Sequence, residues 1–253
     1  MLYLYLLRMT KFFSFLGLLF ISLCINTANG QPKKAVVKKT IVFVQKDTVK
    51  TAVEPLIQIT TPFGVMIAKL YNQTPLHKNH FLQLVKSGTY DSLLFHRVIQ
   101  SFMIQGGDPN SKNAPDTVQL GGGALPGERI PAEIHPQFFH KKGALAAARD
   151  GNPAKASSNC QFYIVQGKKY DSASLNATYV QRVKNANPNY KFTKVHQEIY
   201  ERIGGTPQLD QSYTVFGEVI SGLEVIDAIA AVATKKGDRP LQNVWMKMSV
   251  LRE

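Results

Sequence analysis

The run Phe95-His96-Arg97-Val98-Ile99-Gln100-Ser101-Phe102-Met103-Ile104-Gln105-Gly106-Gly107-Asp108 sets one arginine among apolar side chains and an amide. On a strand, alternation predicts Phe95 and Arg97 on one face and His96 on the other. After a turn, Phe102, Met103 and Gln105 return alongside. A guanidinium held at a greasy notch can donate charge-assisted hydrogen bonds to a polarised group, with no covalent bond made or broken. An isolated arginine, however, is more often merely solvated. Two further stretches carry candidates. Gly143-Ala144-Leu145-Ala146-Ala147-Ala148-Arg149 is followed by Ser157-Ser158-Asn159-Cys160-Gln161-Phe162-Tyr163-Ile164, and later by Leu209-Asp210-Gln211-Ser212-Tyr213-Thr214-Val215-Phe216-Gly217-Glu218-Val219. Each of these, taken alone, reads only as strand.

Other chemistries are disfavoured by what is missing. With two cysteines, Cys24 and Cys160, neither a disulfide framework nor a Cys-x-x-Cys metal site can be built. The histidines form no His-Glu-x-x-His pattern, and His135 and His140 are five apart with Pro136 between them, so no metal or other cofactor is expected. Thirty Lys+Arg against seventeen Asp+Glu give +13 over 253 residues, but the cations come in scattered pairs such as Lys33-Lys34 and Lys168-Lys169. Without a basic stripe, nucleic acid is not the expected partner.

The elements that must hold these residues follow from pattern. Ile57 and Ile59, then Val65, Ile67 and Leu70, flank Thr61-Pro62-Phe63-Gly64 as a hairpin. Thr74-Pro75 starts a helix, with the hydroxyl as cap, Phe81, Leu84 and Val85 as apolar face and Gly88 as stop. Strands are predicted over 93–98, 102–106, 143–148, 160–165, 213–219 and 243–251, the last from the alternation of Val244, Met246, Met248 and Val250. A second helix spans 222–232. Eight strands and two helices without βαβ alternation argue for an antiparallel barrel. Between 171 and 207 lies a helical insertion. Its helices are expected to use Tyr179, Val180 and Val183, then Val195, Ile199 and Ile203, with Pro188 between them and Gly204-Gly205 at the end.

Taken together, the Phe95–Val98 and Phe102–Asp108 motifs, with the two later stretches in the same order, resemble the cyclophilin family of peptidyl-prolyl cis-trans isomerases over about residues 55–251. The resemblance implies a closed eight-stranded antiparallel β-barrel capped by two α-helices, with the site on its outer surface. It also implies proline-containing peptides and partly folded chains as partners. Arg97 matches the catalytic arginine and Gln105 the amide supporting it. Phe102 and Met103 match the walls of the proline pocket, Ala148 and Arg149 fall where the substrate backbone is contacted, and Gln161 matches a supporting glutamine. Tyr163 stands where the pocket usually has phenylalanine, and Leu209 closes it. Tyr213 replaces a histidine, which is similar to the exported bacterial branch. Gln208 takes the place of a tryptophan of the eukaryotic members, so tight cyclosporin binding is not implied; the single tryptophan, Trp245, lies in the last predicted strand. Cys160, on a strand beside Gln161, should point away from the site as a small buried hydrophobe.

The N-terminus reads as an address. Arg8 and Lys11 precede an apolar run from Phe12 to Leu23, and Ala28-Asn29-Gly30 offers small residues before Gln31. That is the plan of a secretory signal over 1–30, which makes an exported, periplasmic protein the expectation. An uncleaved anchor or a lipid-modified Cys24 would instead tie it to a membrane. Residues 31–53 read as a stalk or an added edge strand, and 54–253 as the isomerase domain, expected as a monomer. The insertion enters just before Leu209 and is expected to flank the substrate groove. A non-catalytic proline-binding module on the same barrel, in which Arg97 would be idle, is the alternative.

Overall fold

The computed structural model describes residues 53–253; the signal and Cys24 readings, and the stalk reading up to residue 52, lie outside them. Chain order is β1 (Leu56–Thr61), β2 (Gly64–Leu70), α1 (Pro75–Lys86), β3 (Phe95–Ile99), β4 (Met103–Gly106), β5 (Ala144–Ala147) and β6 (Phe162–Val165). The segment expected as an insertion is helical, with α2 (Ser172–Thr178), a π-helical turn (Tyr179–Val183), α3 (Lys184–Ala186) and α4 (Lys194–Arg202). Then come β7 (Val215–Ser221), α5 (Leu223–Ala230) and β8 (Lys247–Arg252).

The strands form one antiparallel sheet in the order β3-β4-β6-β5-β7-β2-β1-β8, curled into an open half-barrel. Its terminal strands β3 and β8 are not paired as a ladder. The segments just before them touch through an isolated bridge, Leu94 to Trp245. There Phe95 N–H donates to Val244 O at 2.8 Å and Met246 N–H to Leu93 O at 2.9 Å. No ladder joins β3 to β8 there, because β8 begins only after Trp245.

Period-2 alternation divides the sheet's side chains into two sets. Ile57, Ile59, Phe95, Val98, Ile104, Leu145, Phe162 and Ile164 fill the inner core with Phe81 and Leu84 of α1 and Ile226 and Ile229 of α5. Met103, Ala144, Ala146, Tyr163, Val165 and Val215 form a second apolar cluster on the opposite face. The alanines of β5, with Ala148 just after it, matter here: Leu145 and Ala147 serve the core, while Ala144, Ala146 and Ala148 keep the outer face low.

Three expectations are corrected. Phe95 and Arg97 do not share a face. Phe95 pairs with Gly106 and Arg97 with Gln105, so His96 is the extra residue of a β-bulge, which inverts the alternation. Phe95 goes to the core and Arg97 to the outside. Second, the Thr74 hydroxyl does not cap α1 but bonds Tyr71 O. The capping acceptor is Glu133, a loop carboxylate that takes Leu76 N–H at 3.0 Å and His77 N–H at 2.9 Å, where the helix's positive end favours an anion. Third, α4 buries His196 and Tyr200, not Val195, which is exposed; the aromatic pair packs on Phe139. Val180 is likewise exposed, while Leu175 and Val183 are buried. Among the described residues, no helix is long and apolar enough to cross a membrane.

Candidate active site

The register across four strands builds the site. Arg97 lies opposite Gln105, Gln105 opposite Tyr163, and Tyr163 opposite Ala146, a row running across β3, β4, β6 and β5 on the outer face. The next row sets Ile99 opposite Met103 and Met103 opposite Val165. Had the bulge been absent, Arg97 would face the core.

A cavity of about 110 Å³ opens over these rows, lined by Arg97, Phe102, Met103, Gln105, Ala148, Arg149, Tyr163, Leu209 and Tyr213. Nine of the ten residues expected from the sequence therefore meet at one place. Gln161 is the tenth and lies beside them, lining an adjoining cavity with Gln105, Ala148 and Arg149, where its Oε1 accepts from Gln105 Nε2 at 3.1 Å. Its own amide donates to Gly121 O at 3.0 Å and Gly123 O at 2.8 Å. Asp108 in turn anchors that glycine loop through Gly121 N–H and Gly123 N–H. The Gln105 amide is thereby oriented by Gln161. The turn before β4 is set by Ser101, which adopts φ +61° and donates its N–H to Gln166 Oε1 at 2.6 Å. Gln166 and Gly167 N–H both bond Phe102 O, fixing the wall residue.

Arg97 is only half-buried. Its Nε donates to Asp238 Oδ2 at 3.2 Å, with both side chains more than two-fifths exposed. The terminal amino groups make no bond to another described residue and remain available at the cavity. Arg149 is held by three contacts. Its guanidinium stacks over Tyr213 at 4.6 Å, Nε donates to Ser212 O at 2.9 Å, and Nη1 donates to Asp150 O at 2.7 Å. Tyr213 meets Tyr163 edge to face at 5.9 Å. Burial pushes the Tyr163 phenol well above its ordinary range, so it is a neutral hydroxyl.

Cys160 is buried in the core, away from the cavity, and burial raises its thiol pKa, which disfavours the nucleophilic thiolate. No residue of the 171–207 insertion lines the cavity. Among the described residues, no cluster of three or more His, Cys, Asp or Glu is placed to hold a metal ion. What the site brings together is a charged hydrogen-bond donor and a small apolar pocket. The sequence reading missed Asp238, which is 141 positions from Arg97 in the turn after α5, and missed Asp108 as the loop's anchor. Neither had a local signal, since each meets its partner only through the fold.

The family model for cyclophilin type peptidyl-prolyl cis-trans isomerase/CLD matches residues 56–250. A Staphylococcus aureus protein named for a peptidyl-prolyl cis-trans isomerase is 35% identical over 182 residues, covering 72% of this chain and 83% of that protein. A Streptococcus pyogenes protein named for a bifunctional phosphatase/peptidyl-prolyl cis-trans isomerase is 33% identical over 211 residues. That match covers 82% of this chain, which spans only 41% of the streptococcal protein. In fold, the chain is similar to a Cryptosporidium parvum cyclophilin type isomerase, with TM-score 0.56 and 23% identity, over 79% of this chain and 99% of that one. The same parasite protein, crystallised in the presence of the dipeptide Ala-Pro, matches with TM-score 0.54. With the matched span reaching from β1 into β8, the chain belongs to the cyclophilin-type peptidyl-prolyl cis-trans isomerase family.

Proposed function

We propose that this chain accelerates cis-trans rotation about X–Pro bonds, with Arg97 and Gln105 as catalytic residues. Phe102, Met103, Ala148, Arg149, Gln161, Tyr163, Leu209 and Tyr213 bind or support the substrate. The observation that carries the reading is the placement of a free-ended guanidinium at the rim of the apolar cavity formed by Phe102, Met103, Tyr163 and Leu209. Rotation is slow because amide resonance opposes it with a barrier of about 20 kcal/mol. Twisting localises a lone pair on the prolyl nitrogen, and a positioned guanidinium that donates to it favours the twisted state over both planar isomers. The apolar walls hold the ring while the preceding carbonyl turns, and Gln105, oriented by Gln161, steadies the substrate beside Arg97.

Magnitudes set what each part must supply. A 10⁵-fold acceleration requires roughly 7 kcal/mol of differential stabilisation. One charge-assisted hydrogen bond contributes about 1.5–3 kcal/mol. The remainder falls to water exclusion and to binding a twisted conformer.

The clients we propose are exported polypeptides still folding outside the cytoplasm, a reading supported by the signal-like pattern of residues 12–30. We also propose that the half-barrel is completed across the Leu94–Trp245 stitch, which is supported by the backbone bonds flanking it. The decisive experiment is an X–Pro tetrapeptide isomerisation assay with Arg97→Ala. Loss of one charged hydrogen bond predicts a fall in kcat/KM of roughly 10- to 150-fold with folding intact. Undiminished activity in that variant would remove Arg97 from the mechanism.

A further inference from the structure

Behind the proline pocket lies a buried hydrogen-bond chain that the isomerisation mechanism does not use. Tyr163 OH meets His140 Nε2 at 3.0 Å, and His140 Nδ1 meets Asp210 Oδ1 at 2.7 Å. Asp210 Oδ2 accepts from Tyr200 OH at 2.7 Å. His140 and Tyr200 are fully buried and Asp210 is 1% exposed. These four residues come from four parts of the chain: β6, the loop before β5, the turn after Leu209, and α4 of the insertion.

The carboxylate, which only accepts, fixes the direction of the bonds made to it. The Asp210 carboxylate is supplied with three donors: His140 backbone N–H at 2.8 Å, the His140 ring and the Tyr200 hydroxyl. That set satisfies a buried charge that would otherwise be costly. With the ring proton on Nδ1, His140 Nε2 offers a lone pair, and Tyr163 donates to it. The rings reinforce the arrangement. His140 lies nearly parallel to Tyr163 at 6.0 Å and edge-on to Tyr213 at 6.4 Å. The insertion is stitched to the same loop by backbone, since Thr206 N–H donates to His140 O at 2.8 Å and Gly205 bridges both Lys141 and Lys168.

We propose that Tyr200, Asp210 and His140 are positioning residues through which the insertion holds the Tyr163 ring as the back wall of the pocket, setting how firmly a proline ring is gripped. The proposal rests on the isomerase reading, because Tyr163 has a ligand to grip only if the cavity takes proline. The insertion, on this view, acts from behind the pocket as a brace, although none of its residues touches the cavity.

The test is a double-mutant cycle read in KM and kcat on an X–Pro tetrapeptide, with thermal unfolding followed in parallel. Tyr200→Phe deletes one hydroxyl and keeps the ring, so it tests the chain without opening a hole; Asp210→Asn is the second variant. Because the wall grips planar and twisted substrate alike, each is expected to raise KM about three- to tenfold with kcat nearly unchanged. Tyr163→Phe should do the same, and adding Tyr200→Phe to it should change KM no further. A purely structural role would lower the melting temperature of each variant while leaving KM at the wild-type value, and that result overturns the proposal. So does a full additive effect of Tyr200→Phe on KM in the Tyr163→Phe background. If Asp210→Asn does not fold, the two tyrosine variants still decide. An inactive wild type would sink the isomerase reading and this one together, whereas an active wild type matched in KM by Tyr200→Phe sinks the brace alone.

Discussion

Acid should destabilise this domain through one histidine at the site's edge. His96, the bulge residue between Phe95 and Arg97, is 3% exposed, and neither ring nitrogen has a hydrogen-bond partner among the described residues. Burial lowers its pKa from 6.5 to about 4, with Arg97 and Arg239 adding to the effect and Asp108 and the Leu94 carbonyl opposing it. Above pH 6.5 both folded and unfolded chains hold it neutral, and it has no influence. Between pH 6.5 and 4 the unfolded chain takes a proton that the native chain refuses, so stability falls as pH falls. The slope is about 1.4 kcal/mol per pH unit and the total about 3 kcal/mol, levelling below pH 4. Urea unfolding between pH 7.5 and 4, on wild type and His96→Leu, isolates the effect. Burial also lowers His77 and His196, but these are common to both proteins and cancel in the difference. The two stability curves should diverge by nearly one proton's slope across that window. Parallel curves would show that His96 is not held neutral, and the reasoning would fail.

Two further outcomes follow from side chains outside the pocket. Glu133→Ala removes the acceptor at the start of α1 and the partner of the buried His77 ring at 2.7 Å. The expected loss is about 2–3 kcal/mol, seen as a melting temperature lower by roughly 4–12 °C; an unchanged melting temperature would refute the capping role. Asp238→Asn releases Arg97 from a half-exposed ion pair, which by itself adds little to stability after solvent screening. The freed guanidinium must be reordered at each turnover at a cost of about 1 kcal/mol, so kcat/KM should fall about fivefold while the melting temperature barely moves. Equal kcat/KM in the two proteins would show that Asp238 does not orient the arginine.

The strands, the helices α1 and α5 and the helical character of the segment before Leu209 were legible in the sequence because each depends on a short-range period or a punctuating residue. The Thr61–Gly64 turn, the alternation of Val244, Met246 and Met248, and Pro75 and Gly88 around α1 all act within a few positions. The outward row of Arg97, Gln105 and Tyr163 was read through the motif's likeness to a family, not from alternation, which alone places Arg97 with the core residue Phe95. A bulge costs one register step and leaves no mark in a local pattern, because it is decided by the pairing of β3 with β4. The same holds for Glu133 at α1, for Asp238 beside Arg97 and for the chain from Tyr200 to Tyr163. Each is a bond between groups distant in sequence or facing away from their own element's apolar stripe. Burial requires such groups to find partners, but which partners they find is settled only when the sheet curls and the insertion packs against it.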